Sequence, residues 1–232
     1  MLIGFIRSVL DRYFPYPKSL LDHKDPFTFL IAVMLSARCT DKKVNQITPL
    51  LFAKASNAKE MADLPLSIIK EIIHPCGLPA AKSKAILEAS LIIHYKYKGM
   101  VPQTFEGLES LPGVGHKTAS VLMVQAFNKP AFPVDTHIYR LARRWGLSCH
   151  KSIKKVEEDL KNLIPPESWH NVHLQMIEAG RSFCPSRGHI IEKCPICSVL
   201  AQEILPSGSK SPKARKKVSP RQKQSSPSQK VK

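Results

Sequence analysis

Apolar residues recur at three- and four-residue intervals along nearly all of the first 205 positions. No run alternates apolar with polar residues between hairpin turn signals, as a half-buried strand demands. That periodicity permits packed helices and little else. Phe27, Leu30, Ile31, Met34 and Leu35 form one stripe behind Asp25-Pro26, a helix start with proline at its first position. Val44, Ile47, Leu50 and Leu51 form the next, after Thr40-Asp41. Leu66, Ile69 and Ile73 make a short helix stopped by Pro75 and Gly77, and Ala80 to Tyr97 a longer one ended by Gly99. Val134 to Trp145, the stripe from Ile153 to Ile164, and Trp169 to Phe183 complete the series, behind an amphipathic amino terminus, MLIGFIRSVLDRYFPYP. The expectation is an all-α fold of about ten helices.

The charge balance narrows the partner. There are 35 Lys and Arg against 18 Asp and Glu, a net +17. Nine of the basic residues, from Lys210 to Lys232, lie in 206–232, which has no acidic residue; residues 1–205 keep +8. The body is therefore basic without the tail, which points to a polyanion, most often nucleic acid. The tail is Ser, Pro, Lys, Gln and Arg with almost no apolar residue. It is expected to be disordered, because it cannot bury enough surface to offset its chain entropy.

No segment reaches the roughly 20 apolar residues that a bilayer requires. The amino terminus lacks a basic start and a small-residue cleavage site, so no signal peptide is expected. Six cysteines are too few and too unevenly placed for a disulfide framework. These features predict a cytoplasmic, reducing setting. Cys184, Cys194 and Cys197 cluster near the end of the helical region and form a candidate metal site.

Leu111-Pro112-Gly113-Val114-Gly115 reads as a hairpin between two helices. Gly113 and Gly115 allow positive φ and close backbone approach, and Val114 would pack between the helices. The second helix begins near His116, so its free N–H groups suit a DNA phosphate without any base readout. Lys117 follows at once. It is either a phosphate contact or a nucleophilic amine, which must shed its proton to react; a helix amino end disfavours an ammonium. A helix over 116–127 rises about 18 Å. The seven residues 128–134, stiffened by Pro130 and Pro133, span up to roughly 23 Å. The chain can therefore double back and set Asp135 beside Lys117, and Asp135 could equally cap the helix that follows.

LPGVGHKTA, then VDTHIYR, then the cysteine cluster resemble the endonuclease III family of helix-hairpin-helix DNA glycosylases and abasic-site lyases. LLDHKDPFTFLIAVMLSARCTDKKVNQ resembles that family's early core, and the similarity runs from about residue 5 to 200. The resemblance implies a six-helix domain at 19–129 containing the hairpin. A second lobe would join 1–18 to 130–205, with double-stranded DNA across the cleft and a monomer as the acting form. Lys117 would attack C1′ of a damaged nucleotide, an oxidised pyrimidine by family, through a Schiff base and β-elimination. Asp135 would deprotonate or orient the nucleophile and stabilise positive charge on the sugar. Leu78 matches the family's apolar wedge, and Arg38 stands where glutamine is usual. Lys82 and Lys84 are phosphate-contact candidates, and His137 supports the site or a phosphate. An adenine-specific mismatch glycosylase would lack the lyase lysine and carry a glutamate early in the chain, where IAVMLSARCTD has none. A non-catalytic helix-hairpin-helix DNA-binding protein would not need the Lys117–Asp135 pair.

The family also implies a [4Fe–4S] cluster on Cys-x6-Cys-x2-Cys-x5-Cys. Here the pattern is Cys184-x9-Cys194-x2-Cys197, with Glu203 at the fourth spacing. His189 or Cys149 could complete a ligand set. A [4Fe–4S] cluster, zinc on three cysteines and a histidine, or no metal all remain open at this level.

Overall fold

The computed structural model describes residues 2–204; the basic tail expected at 206–232 lies outside them. Twelve α-helices are present among the described residues: α1 (Leu2–Tyr13), α2 (Pro26–Ser36), α3 (Asp41–Phe52), α4 (Ala58–Asp63), α5 (Leu66–Ile73), α6 (Pro79–Tyr95), α7 (Phe105–Glu109), α8 (His116–Gln125), α9 (Thr136–Arg144), α10 (Ile153–Leu163), α11 (Trp169–Arg181) and α12 (Cys197–Ile204). No helix among them is long and apolar enough to cross a membrane.

Helix α2 is the pivot of the larger lobe. Its start is written in the sequence: the Asp25 carboxylate accepts from the Thr28 N–H at 2.9 Å, and the Thr28 hydroxyl accepts from the Asp25 N–H at 3.1 Å. This reciprocal cap satisfies two amide groups that the helix itself leaves unpaired. Every side chain from Phe27 to Leu35 is then buried. A helix that is apolar all round must be surrounded, and α3, α6 and α8 pack about α2. Phe29, Leu30, Ile31 and Leu35 are at most 1% exposed, each contributing roughly 1.5–3 kcal/mol by leaving water. Helices α4 and α5 close against α6, and α7 lies on α8. This core runs from Leu21 to Ala131.

A second core gathers Ile6 and Leu10 of α1 with Phe132, Val134, Ile138, Leu141, Trp145 and residues onward to Cys197. The first helix of the chain thus completes the last lobe. Gln175 on α11 fastens it by donating to the Asp11 carboxylate at 2.9 Å and the Phe14 carbonyl at 3.1 Å. The chain crosses between cores at Ala131 and Phe132.

The larger lobe has seven α-helices between 19 and 129, where six were expected. Helices α4 and α7 have six and five residues, too few for an apolar period to declare itself. Side-chain caps hold them instead: Asn57 accepts from the Glu60 N–H and Thr104 from the Gly107 N–H.

The hairpin departs from expectation at one glycine. Gly113 has φ +79, and a Cβ there would meet the Ala85 Cβ at 2.9 Å and the Met34 Cε at 3.1 Å. Gly115 instead has φ −96 as the residue before α8, and a Cβ there meets nothing within 4 Å. Only Gly113 needs glycine for its backbone. Gly113→Ala should therefore cost about 1–3 kcal/mol, whereas Gly115→Ala should cost less than about 1 kcal/mol. Urea melts of the two variants measure this; equal losses would refute the assignment.

Candidate active site

Two helix amino ends meet at the site. Helix α8 ends at Gln125, and the chain reverses through Asn128 at φ +50, with the Lys129 N–H on the Met123 carbonyl at 2.8 Å. Residues 131–134 run back buried and non-helical, delivering Asp135 as the cap of α9. Its Oδ1 accepts from the N–H groups of His137 and Ile138, both at 2.8 Å, and its Oδ2 faces His137 Nδ1 at 3.2 Å. Burial alone would raise the pKa of this carboxyl. The His137 and Ile138 hydrogen bonds and the charge of Lys117 outweigh burial and hold it down, at about 2. Asp135 is thus both a helix cap and a permanent anion facing Lys117.

Lys117 and Asp135 line the same two cavities, of about 170 and 670 Å³. Lys117 itself is exposed. Among the described residues no side chain caps α8 at Gly115, which leaves its first N–H groups open to an anion. Val114 is buried in the larger core behind the hairpin.

The smaller cavity lies between the lobes. It is bounded by Ser36 and Ala37 at the end of α2, by Lys117 and Val121 of α8, and by His173, Ile177 and Arg181 of α11. Arg181 forms an ion pair with Asp41 at the start of α3, tying one lobe to the other across this space. His173 is 1% exposed, and neither ring nitrogen has a hydrogen-bond partner. Burial drives its pKa down to about 4. Sequence reading missed His173, Asp41 and Arg181. His173 sits among Val172, Leu174 and Met176, where a buried histidine reads as core.

Arg38 and Leu78 are both exposed and both left-handed, at φ +56 and +51. The expected phosphate contact at Lys82 is corrected by the structure. Lys82 is buried, and its ammonium donates to the Leu35 carbonyl at 2.8 Å and the Cys76 carbonyl at 2.7 Å. It cannot reach a phosphate while it joins the end of α2, shortly before Arg38, to the turn at His74–Cys76, shortly before Leu78. Lys84 is surface-exposed, 3.8 Å from Glu88.

Beneath α9 lies the cysteine cluster. Cys184, His189, Cys194 and Cys197 bring their ligand atoms within 4.8 Å of one another, a group able to hold a metal. Cys149 is exposed and outside it. Arg140 of α9 donates to the carbonyls of Gly180 and Cys184 at 2.9 and 3.2 Å, and Arg144 to the Pro185 carbonyl at 2.9 Å. Gly180 allows this approach, since a Cβ would stand 3.0 Å from Arg140 Nη2 and 3.1 Å from the His137 ring.

The buried histidine has a consequence for acid stability. A histidine whose folded pKa lies below its ordinary 6.5 favours folding fully only above 6.5. That contribution is lost as pH falls towards about 4, a loss of about 3 kcal/mol. His173→Phe should flatten the stability profile between those limits in urea melts. An unchanged slope would show that His173 is charged in the folded chain.

Residues 31–166 match the model of the HhH-GPD superfamily base excision DNA repair proteins. Endonuclease III of Bacillus subtilis (strain 168) is 37% identical over 201 residues, which is 86% of this chain and 92% of that protein. Endonuclease III of Haemophilus influenzae is 40% identical over 173 residues, 75% of this chain and 82% of the relative. A solved non-covalent complex of endonuclease III with DNA superposes with a TM-score of 0.81 at 36% identity, covering 84% of this chain and 92% of the other. A trapped covalent intermediate of endonuclease III with DNA gives 0.80 at 37% identity, with the same coverage. With the hairpin, the lysine and the capping aspartate in place on a shared two-lobed helical frame, the chain belongs to the endonuclease III family of base excision DNA repair proteins.

Proposed function

We propose that Lys117 is the nucleophile, and Asp135 its counter-charge, in the DNA glycosylase and abasic-site lyase activity that family membership gives this chain. The observation that carries the reading is electrostatic: the Lys117 charge acts on the Asp135 carboxylate across a shared cavity. A damaged nucleotide leaves the stack and enters the inter-lobe cleft. The unprotonated Lys117 amine bonds to C1′ as the C1′–N bond breaks and the base takes the electron pair. Opening of the sugar leaves a Schiff base on Lys117. Loss of a C2′ proton then expels the 3′ phosphate by β-elimination.

At a pKa of about 2, Asp135 is too weak a base to keep a proton taken from the amine. Its work is electrostatic: it remains anionic and stabilises positive charge on the sugar. His137, bound to Asp135, holds that carboxylate in place. Because Lys117 is exposed, the duplex laid over the cleft completes its drying. Arg38 and Leu78 stand on exposed loops as the side chains that fill the gap left by the extruded nucleotide. Gly113, Val114 and Gly115 place the uncapped start of α8 against a phosphate.

Double-stranded DNA carrying an oxidised pyrimidine is the substrate this reading favours. The α2 wall of the cleft presents Val33, Ser36 and Ala37 and no carboxylate, which gives no support to an adenine mismatch activity. One chain supplies all of these groups, which favours a monomer as the acting unit.

Lys117→Gln should abolish borohydride trapping on abasic duplex while retaining duplex affinity; residual trapping would remove Lys117 from the nucleophile's role. Asp135→Asn keeps a cap-competent side chain and deletes the charge. It should lower the base-release rate about 10²–10³-fold with about 2 kcal/mol lost in stability, the contribution of the charge to the fold. A rate that falls only in step with unfolding would make Asp135 structural. Trapping across a panel of lesion duplexes tests the preference for oxidised pyrimidines.

A further inference from the structure

The donors beneath α9 are packed too closely for the cofactor the family resemblance implies. Cys184 Sγ lies 3.8 Å from Cys197 Sγ and 3.6 Å from His189 Nε2, and with Cys194 all four ligand atoms fall within 4.8 Å of one another. Ligands of a single tetrahedral zinc, with Zn–S near 2.3 Å, stand about 3.8 Å apart. A [4Fe–4S] cube binds each thiolate to a different iron at its own corner, so its sulfurs splay well beyond the edge of one coordination tetrahedron. We propose that Cys184, His189, Cys194 and Cys197 bind one zinc ion in place of the iron–sulfur cluster.

The donor chemistry agrees. Three thiolates and one imidazole, at Cys184-x4-His189-x4-Cys194-x2-Cys197, are the ligands of closed structural zinc sites. The three cysteines are buried, which leaves little room for a substrate or an exchangeable water. The Cys197 N–H donates to Cys194 Sγ at 3.4 Å, neutralising part of the thiolate charge. Three thiolates, a neutral imidazole and Zn²⁺ carry a net charge of −1, and Arg144 Nη1 supplies the matching cation 3.3 Å from Cys184 Sγ. Cys149 does not take the place of His189, since it is exposed and outside the group.

The site works as a staple. It pins the irregular segment 184–197 to α9 through Arg140 and Arg144, and α9 is the helix that Asp135 caps. The proposal stands apart from the role of Lys117, because it concerns only what the four donors hold.

The test uses the full chain, untagged, grown with both iron and zinc and purified without oxygen. Elemental mass spectrometry should find about one zinc per chain, iron well below that, and no broad visible absorption. Exchange with Co²⁺ should give the d–d and thiolate charge-transfer bands of a tetrahedral site. His189→Cys should keep zinc and strengthen the cobalt charge-transfer bands, while His189→Ala should release zinc to a chelator at about tenfold lower chelator concentration or less. Near four irons per chain with acid-labile sulfide would overturn the proposal. So would a folded chain that takes up no zinc, or a His189→Ala chain with unchanged zinc retention and cobalt spectrum.

Discussion

The amino ends of α8 and α9 are both partly positive, and Lys117 adds a full charge beside them. Asp135 is the anion that allows them to meet. Its carboxylate satisfies two amides of α9 and lies in the field of Lys117, and these contacts prevail over the cost of burying it. With a folded pKa held near 2 against an ordinary 3.8, the group favours the folded state by roughly 2 kcal/mol above the ordinary value. That advantage is lost as pH falls through the range between them. The side chain that caps α9 also sets a negative charge in the cavity that it shares with Lys117, the charge that the proposed cationic sugar would need. Structure and chemistry here rest on one side chain.

Much of this was legible because the controlling physics is local. Asp25-Pro26 with Thr28 announces a helix start wherever it occurs, and the apolar run behind it can only be buried. The Lys117–Asp135 meeting was legible for a different reason: helix rise and link length bound where the chain can go. What escaped depends on contacts distant in sequence. Lys82 is indistinguishable from a surface lysine until Leu35 and Cys76 are brought to it. Gly180 looks like any helix glycine until Arg140 and His137 lie against it. Helices α4 and α7 are too short to show a period, and their capping residues, Asn57 and Thr104, were the only available signs.

The burial of Lys82 changes how the DNA-facing loops are understood. Arg38 and Leu78 both hold left-handed backbone, a conformation that costs a residue with a Cβ about 1–2 kcal/mol. Such strain persists only where neighbouring structure imposes it. The Lys82 ammonium ties the two together from behind by donating to two carbonyls, Leu35 at the end of α2 and Cys76 in the turn before Leu78. Burial pushes the pKa of this lysine down, yet the two carbonyls favour the charged form that bridges them. The strap therefore fixes the spacing between Arg38 and Leu78 from below, while their side chains remain free above. A lysine buried behind the surface can in this way set the spacing of two exposed side chains.

The same logic of remote support extends to the cysteine segment. Between α11 and α12 the chain has only a single short 3-10 turn, Ile191–Lys193, and so few backbone bonds of its own. Such a segment would move on its own. It instead receives two arginines from α9, one on the carbonyls of Gly180 and Cys184 and one on Cys184 and Pro185. Arginine forks of this kind transmit position only if their acceptors are themselves fixed. The zinc ion proposed at Cys184, His189, Cys194 and Cys197 would fix them. The rigidity of α9, and hence the aim of the carboxylate at its amino end, then derives from a site that takes no part in the chemistry. A redox-inert ion of the size that the donor spacing accepts would supply that support, and no electron transfer is asked of it.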